Sequence, residues 1–330
     1  MARYAAGAFF WLCAVASGVG VLSGPALAQP RFHHLTVDDG LPQSSILGIT
    51  LDSRGFLWLG TYDGLVRYDG YEYRVFSAEP GVPGTISDSN IRAMLPVQDG
   101  SLWVGTKSGG LNHYDARKGR FRAYRHDPDN PHSLPQDEVR ALCRDPSGTI
   151  WVGTSGGLAS LDPAGGTFVT HRQVGDGTLD RAADEVLSLA CGPDGMLFVG
   201  TAAGLFRFDP WSLAFSSIPL APGPEQDKAD AKPTVVSSLY LAQGGTLYVG
   251  TEWKGLFEID LESGRISHHL ANRAVSAALL DSRGTLWVGT DAGLAQRDGP
   301  GKPFHMHVHE ALDPLSICGN DIRCIVEDAS

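Results

Sequence analysis

Gly100-Ser101-Leu102-Trp103-Val104-Gly105-Thr106 decides the fold of this chain, because it occurs six times with small changes. The other copies are Gly55-Phe-Leu-Trp58-Leu-Gly60-Thr61, Gly148-Thr-Ile-Trp151-Val-Gly153-Thr154, Gly195-Met-Leu-Phe198-Val-Gly200-Thr201, Gly245-Thr-Leu-Tyr248-Val-Gly250-Thr251 and Gly284-Thr-Leu-Trp287-Val-Gly289-Thr290. Their aromatic residues are 45, 48, 47, 50 and 39 positions apart. A repeat of this length is one supersecondary unit that cannot bury its apolar faces alone and must stack on its neighbours. The period is that of a four-stranded propeller blade.

Working outward from Trp103, the second unit reads strand by strand. Asn90-Ile-Arg-Ala-Met-Leu95 is an inner strand, and Asp99-Gly100 is a hairpin turn. Leu102, Trp103 and Val104 are apolar at consecutive positions, so this strand must be covered on both faces, as in twisted blades packed around an axis. Gly110-Leu111 opens a third strand that ends at Tyr114-Asp115, and Phe121-Arg-Ala-Tyr124 alternates like an exposed outer edge. Gly105 and Gly110 stand where the chain leaves and re-enters the buried layer, positions that suit a residue without a Cβ. The Thr106 hydroxyl and the Asp115 carboxylate are expected to bond turn backbone.

The chain ends extend the count. Arg31-Phe-His-His-Leu35 aligns with the outer strand at Phe121 but has no blade before it. Residues 320–328 match the run that begins at Asn90, which places the next copy of the repeat just past Ser330. The expected fold is therefore an all-β propeller of six complete blades plus half of a seventh: a seven-bladed ring closed by joining the two chain ends, incomplete at its C-terminus. A solvated, mobile insertion is expected between the fourth and fifth units, from Pro219 to Thr234.

Composition agrees with many short strands. The chain has 330 residues, 42% of them hydrophobic and 19% charged, with 41 glycines and 20 prolines to supply tight turns. Residues 1–28 read as a signal peptide: Arg3, an apolar stretch to about Leu22, then Ala26-Leu27-Ala28. The rival reading, an uncleaved anchor, is weakened by the glycines in a stretch barely long enough to span a bilayer. Residues 29–330 form the propeller domain. Cleavage removes Arg3 and no acidic residue, moving the net charge from −11 to −12 and making nucleic acid an unfavourable partner. Four cysteines remain, Cys143, Cys191, Cys318 and Cys324, each in or beside an inner strand, where a small buried thiol is expected although export permits disulfides.

Three phrases carry a resemblance. Leu35-Thr-Val-Asp-Asp-Gly-Leu-Pro-Gln-Ser-Ser-Ile46, the run 55–70 around Trp58, and His126-Asp-Pro-Asp-Asn-Pro-His-Ser-Leu134 closely resemble the two-component regulator propeller family, over essentially residues 32–330. The first and third are more specific than the repeat core, which other propellers share. The resemblance implies the periplasmic sensor region of a protein anchored in the inner membrane. Its C-terminal signalling domains, a histidine kinase or a diguanylate cyclase, are not in this sequence.

Strand alternation puts the loop before each inner strand and the loop after each second strand on one face of the disc. The candidate ligand-binding residues there are Tyr62, Asp63, Lys107, Trp253, Lys254 and Asn320, with Trp253 beside Lys254 suited to a sugar ring or another polar small molecule. The expected partners are a small-molecule or oligosaccharide ligand, the missing signalling domains and a second copy in a homodimer. The other readings are a free periplasmic scaffold that binds protein, and a propeller enzyme: lyase, glycosidase or quinone-dependent dehydrogenase. No catalytic residue, metal site or cofactor is assigned, since no nucleophile elbow, zinc-protease or phosphate-loop pattern occurs. His305, His307 and His309 alternate and could meet a metal, but their edge position favours a solvated stripe.

Overall fold

The computed structural model describes residues 30–162, 165–172, 181–220 and 233–328. Residues 1–28, read above as a signal peptide, and most of the insertion after Pro219 lie outside them. Six separate four-stranded antiparallel sheets form, each ordered in chain sequence from inner to outer strand. They occupy residues 46–76, 91–124, 139–171, 186–218, 236–269 and 275–307, blades 1 to 6 below. In blade 2 the strands are Ile91–Pro96, Leu102–Thr106, Leu111–Asp115 and Arg120–Tyr124, within a residue or so of the sequence reading. Leu95, Trp103, His113 and Arg122 stand side by side across it.

The core lies between blades. Every residue of the second strands Leu57–Thr61, Leu102–Thr106, Ile150–Thr154, Leu197–Thr201 and Leu286–Thr290 is buried, as consecutive apolar positions require. Trp58 and Leu65 of blade 1 pack with Ile91, Leu102, Val104 and Tyr114 of blade 2. Trp103 and Leu111 in turn pack with Val139, Ile150 and Val152 of blade 3. A fully buried side chain of this size contributes about 1.5–3 kcal/mol, so each blade is stabilised chiefly by its neighbours. The Trp58, Trp151 and Trp287 indoles each donate to an aspartate six residues earlier, Asp52, Asp145 and Asp281, at 3.0, 2.9 and 2.9 Å. The same carboxylates hold the hairpin backbone, so filling the space between blades and setting the turn are one device.

The two glycines do what their positions require. A Cβ on Gly105 would lie 2.9 Å from the Val139 carbonyl oxygen of the next blade; Gly110 has φ of +78° and faces the Tyr124 carbonyl. The Thr106 hydroxyl donates to Gly110 O at 2.9 Å, and the Asp115 carboxylate accepts from the backbone of Arg117 and Lys118.

Two expectations change. Cys143 and Cys191, read as buried thiols, form a disulfide with Cα atoms 6.0 Å apart. They sit in the inner strands of blades 3 and 4, Val139–Arg144 and Val186–Cys191, which the ring brings alongside each other. Cys318 is free and exposed; Cys324 is free, and burial pushes its thiol up to about 12. The end segments form no strands. Residues 320–328 have no second strand to pair with among the described residues, and of residues 31–35 only His34 makes an isolated bridge. Both segments nevertheless lie between blades 6 and 1. Phe32 and Ile322 share an apolar cluster with Trp287 and Leu294 of blade 6. Leu35, Cys324 and Val326 join the cluster of Ile46, Leu57 and Leu59 of blade 1.

Candidate functional site

Every inner strand begins with the same irregularity. The register against the second strand shifts after the first residue in all six blades. A bulge of this kind leaves one residue out of the ladder and redirects its side chain. The bulged residues are Leu47, Arg92, Arg140, Leu187, Ser237 and Ser276. Leu47, Arg92, Ser237 and Ser276, together with Asp321 and Arg323, line a cavity of about 330 Å³. Blades 1, 2, 5 and 6 all contribute, so the cavity lies on the central axis, at the end of the channel where the inner strands start.

The loops of this end are joined in pairs. The residue after the second strand donates its backbone N–H to the residue before the inner strand: Lys107 to Asn90 at 3.0 Å, and Ser155 to Glu138, Ala202 to Glu185, Glu252 to Val235 and Asp291 to Ala274, each at 3.2 Å. The expectation that both loop sets share one face follows directly from these bonds.

The charged side chains around the mouth are mostly compensated. Arg140 donates from Nε to Glu138 at 3.0 Å and from Nη1 to Glu185 of the next blade at 2.8 Å. Arg323 Nε lies 2.9 Å from Asp321 Oδ2, and its Nη1 donates to Tyr62 Oη at 3.1 Å; these two contacts raise the guanidinium further above its ordinary value, Asp321 more than Tyr62. Arg92 has no ion pair among the described residues, and its Nε is buried without a hydrogen-bond partner.

Of the six residues singled out from the sequence, the structure brings only some to the channel. Tyr62, 38% exposed, reaches Arg323 of the cavity wall. Asn320 holds blade 6 to the following segment, accepting from Gly293 N and His309 N at 2.7 Å each. Lys107 is exposed at the corner beside Asn90. Asp63 and Lys254 bond toward the outer strands of their blades, through Ser77 and His268, and Lys254 Nζ donates to Thr234 at 2.7 Å. Trp253 is 73% exposed. Sequence reasoning missed the three arginines. Their signal was a charge at the second position of an otherwise apolar strand, recurring in Arg92, Arg140 and Arg323.

The phrases behind the family resemblance are architectural. In the connector from blade 2 to blade 3, His126 Nδ1 bonds Leu134 O at 2.7 Å, His126 N donates to Asp137, and Ser133 closes the turn. His309, Ile317, Asn320 and Ser316 repeat these contacts after blade 6. His307 is half-buried against Gln296 at 2.7 Å and so departs from the expected solvated stripe, whereas His305 and His309 are exposed, His309 with one ring nitrogen on Ile317 O.

The fold and the bulged channel define a repeat propeller with one polar, loop-bearing mouth. Four segments, residues 40–63, 85–108, 133–156 and 269–292, match the two-component regulator propeller family, each covering an inner strand and the strand beside it. Four of the six blades, the first, second, third and sixth, thus carry segments similar to two-component regulator propeller repeats. A protein of B. thetaiotaomicron described as a hybrid two-component system has an extracellular domain that superposes with a TM-score of 0.77 at 22% identity, over 90% of this chain and 39% of that one. A second such extracellular domain from the same organism gives 0.69 at 25% identity, over 86% and 36%. Histidine kinase P4 of Formosa agariphila is 41% identical over 56 residues, 17% of this chain and 4% of that protein. The chain thus spans well under half the length of each of these relatives. Among the described residues no helix is long and apolar enough to cross a membrane.

Proposed function

We propose that this chain is the exported, ligand-sensing input module of a membrane-anchored signalling protein, with residues 1–28 directing it to the periplasm. The observation that carries this reading is the propeller's likeness to extracellular domains of two-component systems that are more than twice as long as their matched part. A histidine kinase or diguanylate cyclase further along the same polypeptide would supply the output. Ligand is taken at the channel mouth, lined by bulged residues and joined to Tyr62 through Arg323, and at its loops, with exposed Lys107 and Trp253 as outlying contacts, the latter a sugar platform.

The ring is completed at a seventh position by residues 30–41 and 317–328. In support, Phe32 N donates to Leu315 O at 3.1 Å, Ile322 N to Thr290 O at 3.0 Å, and Glu327 accepts from Ser282 of blade 6. An inner hairpin partner would fill the remaining space.

The test is a melting-temperature screen of the secreted chain against mono- and oligosaccharides. A specific ligand stabilises the fold by mass action, by about 2.7 kcal/mol at a hundred times its Kd. A dose-dependent rise that Trp253→Ala or Tyr62→Phe weakens supports the reading; no rise with any compound counts against it.

A further inference from the structure

We propose that the channel mouth selects ligands bearing a carboxylate, of which a hexuronic acid is the type, and that Arg92 is the residue that receives it. The inference deepens the sensing function above and rests on it.

Three arginines occupy equivalent positions. Arg140, Arg323 and Arg92 follow the same inner-strand pattern, each two residues after a polar side chain. In blade 3 that residue is Glu138, bonded to Arg140 Nε; in the last segment it is Asp321, bonded to Arg323 Nε. In blade 2 it is Asn90, and the corresponding bond is absent: Arg92 Nε and Asn90 Oδ1 are both buried without partners. Where the other two guanidiniums carry a carboxylate of their own, Arg92 carries a neutral amide. The part of the Arg92 guanidinium that lines the cavity thus lacks the internal carboxylate of its counterparts and is left for a bound anion, a hydrogen bond to a charged group contributing about 1.5–3 kcal/mol. Glu138, which holds the equivalent position in the next blade, is already engaged by Arg140.

The surroundings fit a small acid. The cavity that Arg92 lines has about 330 Å³, at the low end of the roughly 300–1,000 Å³ of small-ligand sites. Its wall carries the Ser276 hydroxyl, which has no partner among the described residues, and the Ser237 hydroxyl, which donates to Val275 O at 2.8 Å and keeps its lone pairs for a ligand hydroxyl. Arg323, already paired with Asp321, adds a second guanidinium to the cavity wall. Lys107, whose backbone N–H bonds Asn90 O, is exposed and has no ion pair among the described residues. A planar guanidinium holds a carboxylate through two parallel hydrogen bonds, whereas the hydroxyls of a sugar ring meet the serines. On a chain of net charge −11, this is a local reversal that rejects neither a sugar nor its acid but favours the acid.

The experiment is calorimetric titration of the full chain with sodium glucuronate, with glucuronamide and glucose as neutral comparators. The variants are Arg92→Gln, which removes the charge, and Asn90→Asp, which supplies the internal carboxylate that blades with a paired arginine already have. Glucuronate is expected to bind about tenfold or more tightly than glucuronamide, and either variant should abolish that preference. Asn90→Asp should do so with an unchanged or higher melting temperature, which separates lost binding from lost folding. Equal affinity for acid and amide, or undiminished preference in Asn90→Asp, overturns the proposal while leaving a neutral-sugar sensor standing. Absence of binding by all three compounds overturns it as well, and the wider saccharide screen then decides the sensing reading separately.

Discussion

Arg323 donates from Nη1 to the hydroxyl of Tyr62 at 3.1 Å, joining two residues 261 positions apart in the chain. The contact runs from the last segment to the first blade across the only place where inner strands of consecutive blades do not meet directly among the described residues. It is exposed, so its contribution is small, about 0.5–1.5 kcal/mol. Tyr62→Phe should leave the global melt nearly unchanged yet speed amide exchange in residues 320–326 by roughly two- to tenfold. Exchange at the wild-type rate would mean that the apolar clusters alone hold the segment.

Phe32 tests the same closure from the other end. It is 6% exposed, packed with Trp287, Leu294, Ile317 and Ile322. Phe32→Ala should cost about 3–5 kcal/mol in urea unfolding, the usual loss for a buried aromatic ring. A change below about 1 kcal/mol would show that the N-terminal segment is only laid on the surface.

The Cys143–Cys191 bridge closes a loop across 48 positions between adjacent inner strands. By chain entropy it stabilises the fold by about 2–4 kcal/mol. Reduction, or Cys143→Ala with Cys191→Ala, should lower the melting temperature while retaining the β-sheet circular dichroism. Identical melting with and without reductant would sink the assignment.

His307 makes stability depend on mildly acid pH. Burial first, then neighbouring His305, lowers its value from 6.5 to about 4, with Asp298 opposing. The unfolded chain therefore takes up this proton before the folded one does, and the stabilising contribution is complete above about pH 6.5 and lost as pH falls toward 4. Urea midpoints should drop between pH 7 and 4.5, and the drop should be smaller in His307→Gln. His113, His171 and His269 are shifted the same way, each chiefly by burial, so the variant removes only part of the slope.

The amino-acid sequence by itself determined the blades. A buried strand flanked by glycines and filled by one aromatic ring leaves its mark at fixed spacing, because Trp58, Trp103 and Trp151 answer to the same local geometry each time. Strand ends, hairpin turns and the roles of Thr106, Asp115 and Gly110 were legible for the same reason: their partners are within a few residues. Which loops share a face was legible too, from the alternation of strand direction. Tertiary structure alone decided what meets across blades. Cys143 and Cys191 are 48 residues apart and look like two more core residues until the ring sets their strands side by side. Arg92, Arg140 and Arg323 differ locally at the residue two before each, but only the ring brings Glu185 to Arg140 and Tyr62 to Arg323 while Arg92 has no ion pair among the described residues. Pairing of this kind depends on where the axis gathers the strands, a distance in space that no spacing along the chain encodes.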